Sequence, residues 1–206
     1  MNGMVGILLA AGRSRRMGMA KQLLPWPPTS VGGGEPDQSS KTMIAASFDT
    51  IAPHCDRIII VLGNEIDAIR RALGNRSYSV VASDPNAEMI ASIRAGISAA
   101  ASSPACLAAL LHPSDVPGVG RQTITTLIEA RFGSPESAIM PEYLGKGGHP
   151  VIIPRGLFAA IESHREAGGL RTLWRRKPDR CVQIAVNDPG CVRDIDTPEE
   201  YVRGVV

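Results

Sequence analysis

Residues 7–24 read Ile-Leu-Leu-Ala-Ala-Gly-Arg-Ser-Arg-Arg-Met-Gly-Met-Ala-Lys-Gln-Leu-Leu: an apolar run, a glycine turn, then four cations with no acid among them. Gly12 and Gly18 carry no Cβ, so backbone N–H groups there can approach an anion closely. Arg13, Arg15, Arg16 and Lys21 supply the matching charge. The strand predicted over 5–10 ends in small residues that let a flat base or a ribose lie against the backbone. Together these features point to a polyphosphate and hence to a nucleotide. Two familiar phosphate loops do not fit. Lys41-Thr42 follows Ser39-Ser40 rather than glycine, and no G-x-G-x-x-G follows the first strand.

Outward from that stretch, apolar runs of strand length alternate with helical patterns. Strands are predicted over 5–10, 57–62, 78–82 and 107–111. The second is a β-branched run without alternation, as expected of a strand buried on both faces. Between them Ile44, Ser47, Phe48 and Ile51 mark one helix face, Ile66, Ile69 and Leu73 another, and Ile90, Ile93 and Ile97 a third. The later part is less regular, with helices over 122–131 and 156–163 and strands over 137–141, 149–153 and 181–185. Two consecutive strands without a helix between them predict a small antiparallel insertion. The whole pattern predicts an α/β chain with a Rossmann-like three-layer αβα architecture and a mainly parallel sheet.

Thr197-Pro198-Glu199-Glu200 reads as a capping box that opens a last helix and carries Tyr201 and Val205 inward. With no repeat and no linker, residues 1–206 form a single domain. Residues 25–40 are rich in proline and glycine and suit neither a helix nor a central strand. They predict a flexible insertion loop over about 27–40, directly after the phosphate loop, with two roles open to it: a lid over the nucleotide or a plain insertion.

The 206 residues are 44% hydrophobic and 20% charged with a net charge of +2, which describes a soluble globular protein and not a nucleic-acid binder. Residues 4–11 are too short to cross a bilayer and lack a preceding basic region, so neither membrane nor export is expected and the cytoplasm is. Cys55, Cys106, Cys181 and Cys191 form no C-x-x-C pair and read as reduced thiols.

The strand over 107–111 runs into His112-Pro113-Ser114-Asp115-Val116-Pro117. Ligands of open parallel sheets sit outside the carboxyl ends of the strands, so Asp115 emerges where a ligand is held. A carboxylate there suits Mg²⁺, which takes one or two protein oxygens together with substrate phosphate and water.

Leu9, Ala10, Ala11, Gly12, Ser14, Arg16, Met17, Gly18 and Lys21 fill every fixed position of the signature L-A-(A/G)-G-x-S-x-R-M-G-x-x-K. In this the chain resembles the molybdenum-cofactor nucleotidyltransferases, within the larger group of nucleotide-diphospho-sugar-type transferases. The resemblance implies in-line attack by an acceptor on the α-phosphorus of a nucleoside triphosphate, with loss of pyrophosphate. Leu9, Ala10, Ala11, Gly12, Ser14 and Gly18 would surround the nucleotide, Arg16 and Lys21 would hold its charge, and Asp115 would bind the metal.

Asp194-Ile195-Asp196-Thr197-Pro198 resembles the family's D-I-D-T-P, which implies a second metal ligand. Asp194 and Asp196 share a face of an extended chain, and Asp196 is the choice made here, with the other aspartate free to pair with an arginine. Ser92, ahead of Gly96, resembles a stretch lining the base and acceptor pocket, and Gly148 with His149 resembles the approach to the acceptor. Ala11 matches the cytosine-using branch, where the guanine-using branch has glycine. The resemblance thus implies CTP, molybdopterin as acceptor, and transient docking to a molybdenum oxidoreductase. Two departures bear on the acceptor: no glycine near Glu88, and Ala167 where an aspartate is usual. The alternatives are a guanylyltransferase, a sugar- or small-phosphate nucleotidyltransferase, and a non-catalytic protein that delivers the finished cofactor.

Overall fold

Every residue of the first strand, β1 (Met4–Ala10), is buried, which a continuous apolar run demands and a sheet covered on both faces supplies. The structure is a computed structural model that describes residues 3–12, 17–28, 41–63, 65–166 and 168–203. After β1 come a short ribbon of β2 (Pro25–Trp26) and β3 (Lys41–Thr42), then α1 (Met43–Ile51), β4 (Arg57–Leu62), α2 (Ile66–Leu73), β5 (Ser79–Ala82), α3 (Met89–Ala101) and β6 (Ala108–Pro113). The second half contains α4 (Arg121–Gly133), β7 (Ala138–Tyr143), β8 (Lys146–Gly147), β9 (Val151–Pro154), α5 (Phe158–Ser163), α6 (Gly169–Arg176), β10 (Cys181–Ala185) and α7 (Pro198–Arg203).

The main sheet has the order β10-β7-β9-β6-β1-β4-β5, with β8 attached to β7. β1 lies parallel to both neighbours, Ile7 opposite Ile59 on one side and Leu111 on the other. β9 runs against both β6 and β7. It follows β7 through the β8 turn with no crossover helix, and a short connection can join only antiparallel strands. This is the antiparallel insertion that the sequence predicts.

Side chains alternate along β1, and the two resulting faces nucleate two cores. Ile7 packs with Ile59, Ile93, Ile97, Leu111 and Trp174, under α3, α5 and α6. Leu8 packs with Ile44, Phe48, Ile60, Ile69 and Leu127, under α1, α2 and α4. Gly96 lets α3 settle on the sheet, because a Cβ there would stand 2.5 Å from the Ile7 side chain.

Some details depart from the sequence pattern. β6 starts later than predicted and leaves Leu107 56% exposed, and Ile66, at the first turn of α2, is 36% exposed rather than inward. The sequence reading has no helix over 169–176, although Leu170, Leu173 and Trp174 show helical spacing. Gly168, at φ 91°, and Gly169, at φ 60°, disguise the start of α6. Tyr201 is half-buried and donates its hydroxyl to Pro25 O at 2.6 Å, tying α7 to the ribbon. Val205 lies outside the described residues, as does the insertion over 29–40, whose base is the β2–β3 ribbon. All four cysteines are free thiols, and burial pushes Cys55 up to about 12.

Candidate active site

β1 and β6 end side by side, Leu9 opposite Pro113, and Ser114 N donates to Leu9 O at 2.9 Å. Asp115 therefore leaves the sheet next to the end of β1. Ile195 is buried, and its N–H donates to Asp115 O at 3.0 Å, which draws residues 194–196 over the same strand ends. The predicted capping box then fixes the neighbouring backbone. Glu200 N donates to Thr197 Oγ1 at 3.2 Å, while Glu200 Oε2 accepts from Thr197 N at 2.9 Å and Asp196 N at 2.8 Å.

Three charged side chains from distant parts of the chain meet here. Lys21 Nζ donates to Asp115 Oδ2 at 2.7 Å and to Asp196 Oδ1 at 2.6 Å. Burial alone would lower the lysine pKa, but the two carboxylates outweigh it and hold the ammonium above its ordinary value. Asp194 lines the same cavity; burial raises its carboxyl, and the charges of Asp196, Asp115 and Glu200 add to the rise. The sequence reading allots an arginine partner to one of the two aspartates. Among the described residues the cation found on this segment is Lys21, on Asp196.

The cavity measures about 490 Å³. Of the residues singled out in the sequence, Leu9, Ala10, Ala11, Gly12, Lys21, Ser92, Asp115, Asp194 and Asp196 line it. Among the described residues no atom would lie within 4 Å of a Cβ on Gly12 or Gly18, and Gly18 needs its freedom at φ 66°. Ser14 and Arg16, with Arg13 and Arg15, lie outside the described residues.

Gln22 was not singled out in the sequence, yet it braces the glycine turn after β1. It is buried, and its Nε2 donates to Gly12 O at 3.1 Å and to Ala10 O at 3.5 Å. Gly63 supports the same turn, since a Cβ there would lie 2.6 Å from Ala11 O. The wall opposite comes from Asp84, Pro85, Asn86 and Ala87, which the sequence reading also passed over. Its cue is turn chemistry, Ser-Asp-Pro-Asn, at the end of a strand. Ser92 is fixed against this wall by a 2.9 Å hydrogen bond with Ser83.

Gly148 and His149 are not among the residues lining the cavity. Gly148 is where two backbones touch, because a Cβ there would come 2.2 Å from Cys191 O. His149 N donates to that same carbonyl at 2.7 Å. Burial pushes the His149 imidazole down to about 4 and the neighbouring His112 down to about 3. Among the described residues both ring nitrogens of His112, and Nδ1 of His149, are buried without a well-formed hydrogen bond, although the Val116 backbone lies close to the His112 ring. At neutral pH both rings are uncharged.

Among the described residues no group of three or more His, Cys, Asp or Glu side chains is gathered as for a protein-built metal cage. Asp115 and Asp196, however, each place an oxygen within hydrogen-bonding distance of one cationic atom. Two hard oxygen donors lining one cavity suit Mg²⁺ or Mn²⁺, which complete their shells with phosphate and water.

A mainly parallel αβα sheet, a glycine-rich turn at the end of β1 and this charged cluster define a nucleotidyltransferase of the nucleotide-diphospho-sugar transferase fold. The chain belongs to the MobA-like NTP transferase domain family, whose description matches residues 6–181. It is 24% identical over 200 residues to molybdenum cofactor cytidylyltransferase of Escherichia coli K12, covering 95% of this chain and 92% of the relative. It is 25% identical to a probable molybdenum cofactor guanylyltransferase of Rhodopirellula baltica, with 96% and 89% covered. Among solved structures it is similar to Rv0371c of Mycobacterium tuberculosis H37Rv, with a TM-score of 0.79, 27% identity and 98% and 97% of the chains covered. A complex of that mycobacterial protein with manganese aligns at a TM-score of 0.73 with 25% identity, covering 97% and 96%.

Proposed function

We propose that this nucleotidyltransferase moves CMP from CTP to a molybdopterin-type molybdenum cofactor in the presence of Mg²⁺. The observation that carries the reading is the meeting of Lys21, Asp115 and Asp196 beside the glycine turn. In this reading an acceptor phosphate oxygen attacks the α-phosphorus, the bond to the α,β-bridging oxygen breaks, and pyrophosphate leaves. A phosphate acceptor is already anionic, so no general base is required, and the chain's task is positioning and charge neutralisation.

Gly12 and Gly18 would give the triphosphate room, and Lys21 would take up its β and γ oxygens. Ser14 and Arg16 enter the proposal through the sequence motif alone. Asp115 and Asp196 would hold Mg²⁺, which when bound screens phosphate charge and orients the leaving group. Ser92 would border the base, and Gly148 with His149 would lie on the acceptor side. A protein that merely delivered a finished cofactor would tolerate the loss of Asp115, whereas two half-buried carboxylates beside the glycine turn favour turnover.

The choice of cytosine rests on Ala11, since the cytidylyl- and guanylyltransferase relatives are almost equally similar. Ala11 is 6% exposed and is among the residues lining the cavity, where its methyl would narrow the space left for a purine. One methyl discriminates by about 1–3 kcal/mol, or roughly 10- to 200-fold. Docking to a molybdenum oxidoreductase and residence in the cytoplasm complete the proposal. No described helix is long and apolar enough to cross a membrane.

The test is pyrophosphate release from each of the four ribonucleoside triphosphates with Mg²⁺, with and without a molybdopterin extract. Release with CTP alone, and only with extract, is expected. Equal release with GTP would remove the base assignment, and release without extract would remove the acceptor.

A further inference from the structure

Resting on the nucleotidyltransferase reading above, we propose that Lys21 is the resident cation of the Asp115–Asp196 pair and excludes divalent metal until a triphosphate draws it away. Its Nζ sits 2.7 Å from one carboxylate and 2.6 Å from the other, and the Lys21 side chain is 9% exposed, against 20% and 25% for the two aspartates. Withdrawing the ammonium with nothing in its place would leave two carboxylates facing each other across a few ångströms in a half-buried cleft. The pair repels itself unless a cation stands between the two carboxylates, and among the described residues Lys21 does so.

The surroundings confine the exchange to a side-chain movement. Lys21 opens a single 3-10 turn, Lys21–Leu23, whose backbone is held by Leu24 N donating to Lys21 O at 3.1 Å. The next residue is Gln22, anchored on Ala10 O and Gly12 O. The backbone on this side is thus fastened to β1, while the four-carbon stem of Lys21 can turn toward the space above Gly12. Among the described residues no atom would lie within 4 Å of a Cβ on Gly12.

A bare metal ion arriving at the pair must expel the ammonium without offering it a new partner. A metal–triphosphate complex brings both the replacement cation and the oxygens that receive Lys21. The two therefore bind with positive coupling, and linkage makes the coupling reciprocal. Without nucleotide a metal ion must compete with Lys21 for the carboxylate pair and binds it weakly.

Mn²⁺ binding, read from the EPR signal of the free ion in the absence of nucleotide, tests this directly. The Lys21→Met variant should bind Mn²⁺ roughly tenfold or more tighter than the wild type, and Asp115→Asn added to it should abolish the gain. Equal affinities for wild type and Lys21→Met, at a site that Asp115→Asn removes, would overturn the exclusion role and leave the metal site standing. Binding to Lys21→Met that Asp115→Asn does not weaken would overturn both. Should Lys21→Met fail to fold, the wild type decides. Saturating Mn²⁺ should speed acetylation of Lys21 by an N-hydroxysuccinimide ester, mapped by mass spectrometry, and an unchanged rate would overturn the proposal.

Discussion

Two clusters of carboxylates and cations in this molecule use the same chemistry in opposite proportions. At the first, Asp49 on α1 accepts from Arg76 Nε at 2.7 Å and Nη2 at 2.9 Å, and from Lys41 Nζ at 2.5 Å. One carboxylate has two cations, Arg76 also donates to Leu73 O, and its guanidinium lies 5.9 Å from the Phe48 ring centroid. The cluster stitches α1 to the end of α2 at the surface, and none of its three charged residues lines the cavity beside β1. At the second, two carboxylates share Lys21 inside a 490 Å³ cavity, with Asp194 nearby. The first cluster satisfies its acid fully and is a clasp. Among the described residues the second sets two carboxylates against one lysine in a cavity, an arrangement that suits a cation and a phosphate better than a structural ion pair.

The largest effect that would break this contrast is at Asp115. Asp115→Asn should lower kcat/KM for pyrophosphate release by about 10³-fold with no loss of fold by circular dichroism, and a loss under about fivefold would make the second cluster structural as well. Lys21→Met comes next, with about 10²-fold lower turnover and a larger loss of affinity for CTP than for CMP in calorimetry. Equal losses for the two nucleotides would contradict a grip on the β and γ phosphates.

Gln22→Leu sharpens the comparison, because it loosens the loop without touching a charge. It should raise KM for CTP roughly fivefold, about 1 kcal/mol, with kcat nearly unchanged. A fall in kcat alone would refute a bracing role.

The smallest effect belongs to the clasp. Asp49→Asn should leave turnover unchanged and cost roughly 0.5–1 kcal/mol in urea unfolding, modest because the cluster is partly exposed. Hydrogen bonding from Arg76 is the largest influence on the Asp49 carboxyl and holds it below its ordinary value despite burial. The contribution is therefore complete above the unfolded value near 3.8 and is lost as pH falls through the lower folded value. The stability gap between wild type and variant should be flat over roughly pH 5–8 and close in acid. A gap that persisted in acid would show that the carboxylate charge is not its source.

Much of this was legible in the residues. The strand over 57–62 lies where its apolar run places it, because a strand with both faces covered is written as a continuous run, and the edge strand over 181–185 is also where the sequence predicts it, with Gln183 exposed between half-buried Val182 and Ile184. The capping box over 197–200 is equally local, and it forms as read. α6 was not read, since its glycine-led start contradicts helix propensity and its apolar positions count only once α3 and α5 are there to receive them. Gln22 was missed because a buried amide gains its meaning from the carbonyls it meets, and these belong to residues ten and twelve positions earlier.

The sequence alone determined the elements and the signature turn, for these depend on neighbours along the chain: side-chain period, glycine at positive φ, a cap three residues from its partner. Tertiary structure alone decided that Lys21 stands between Asp115 and Asp196, which are 94 and 175 residues away from it. Three charges that far apart in sequence have no interaction until the sheet brings β1 and β6 side by side and Ile195 is buried over their ends. Coulomb energy depends on distance and burial, and sequence records neither.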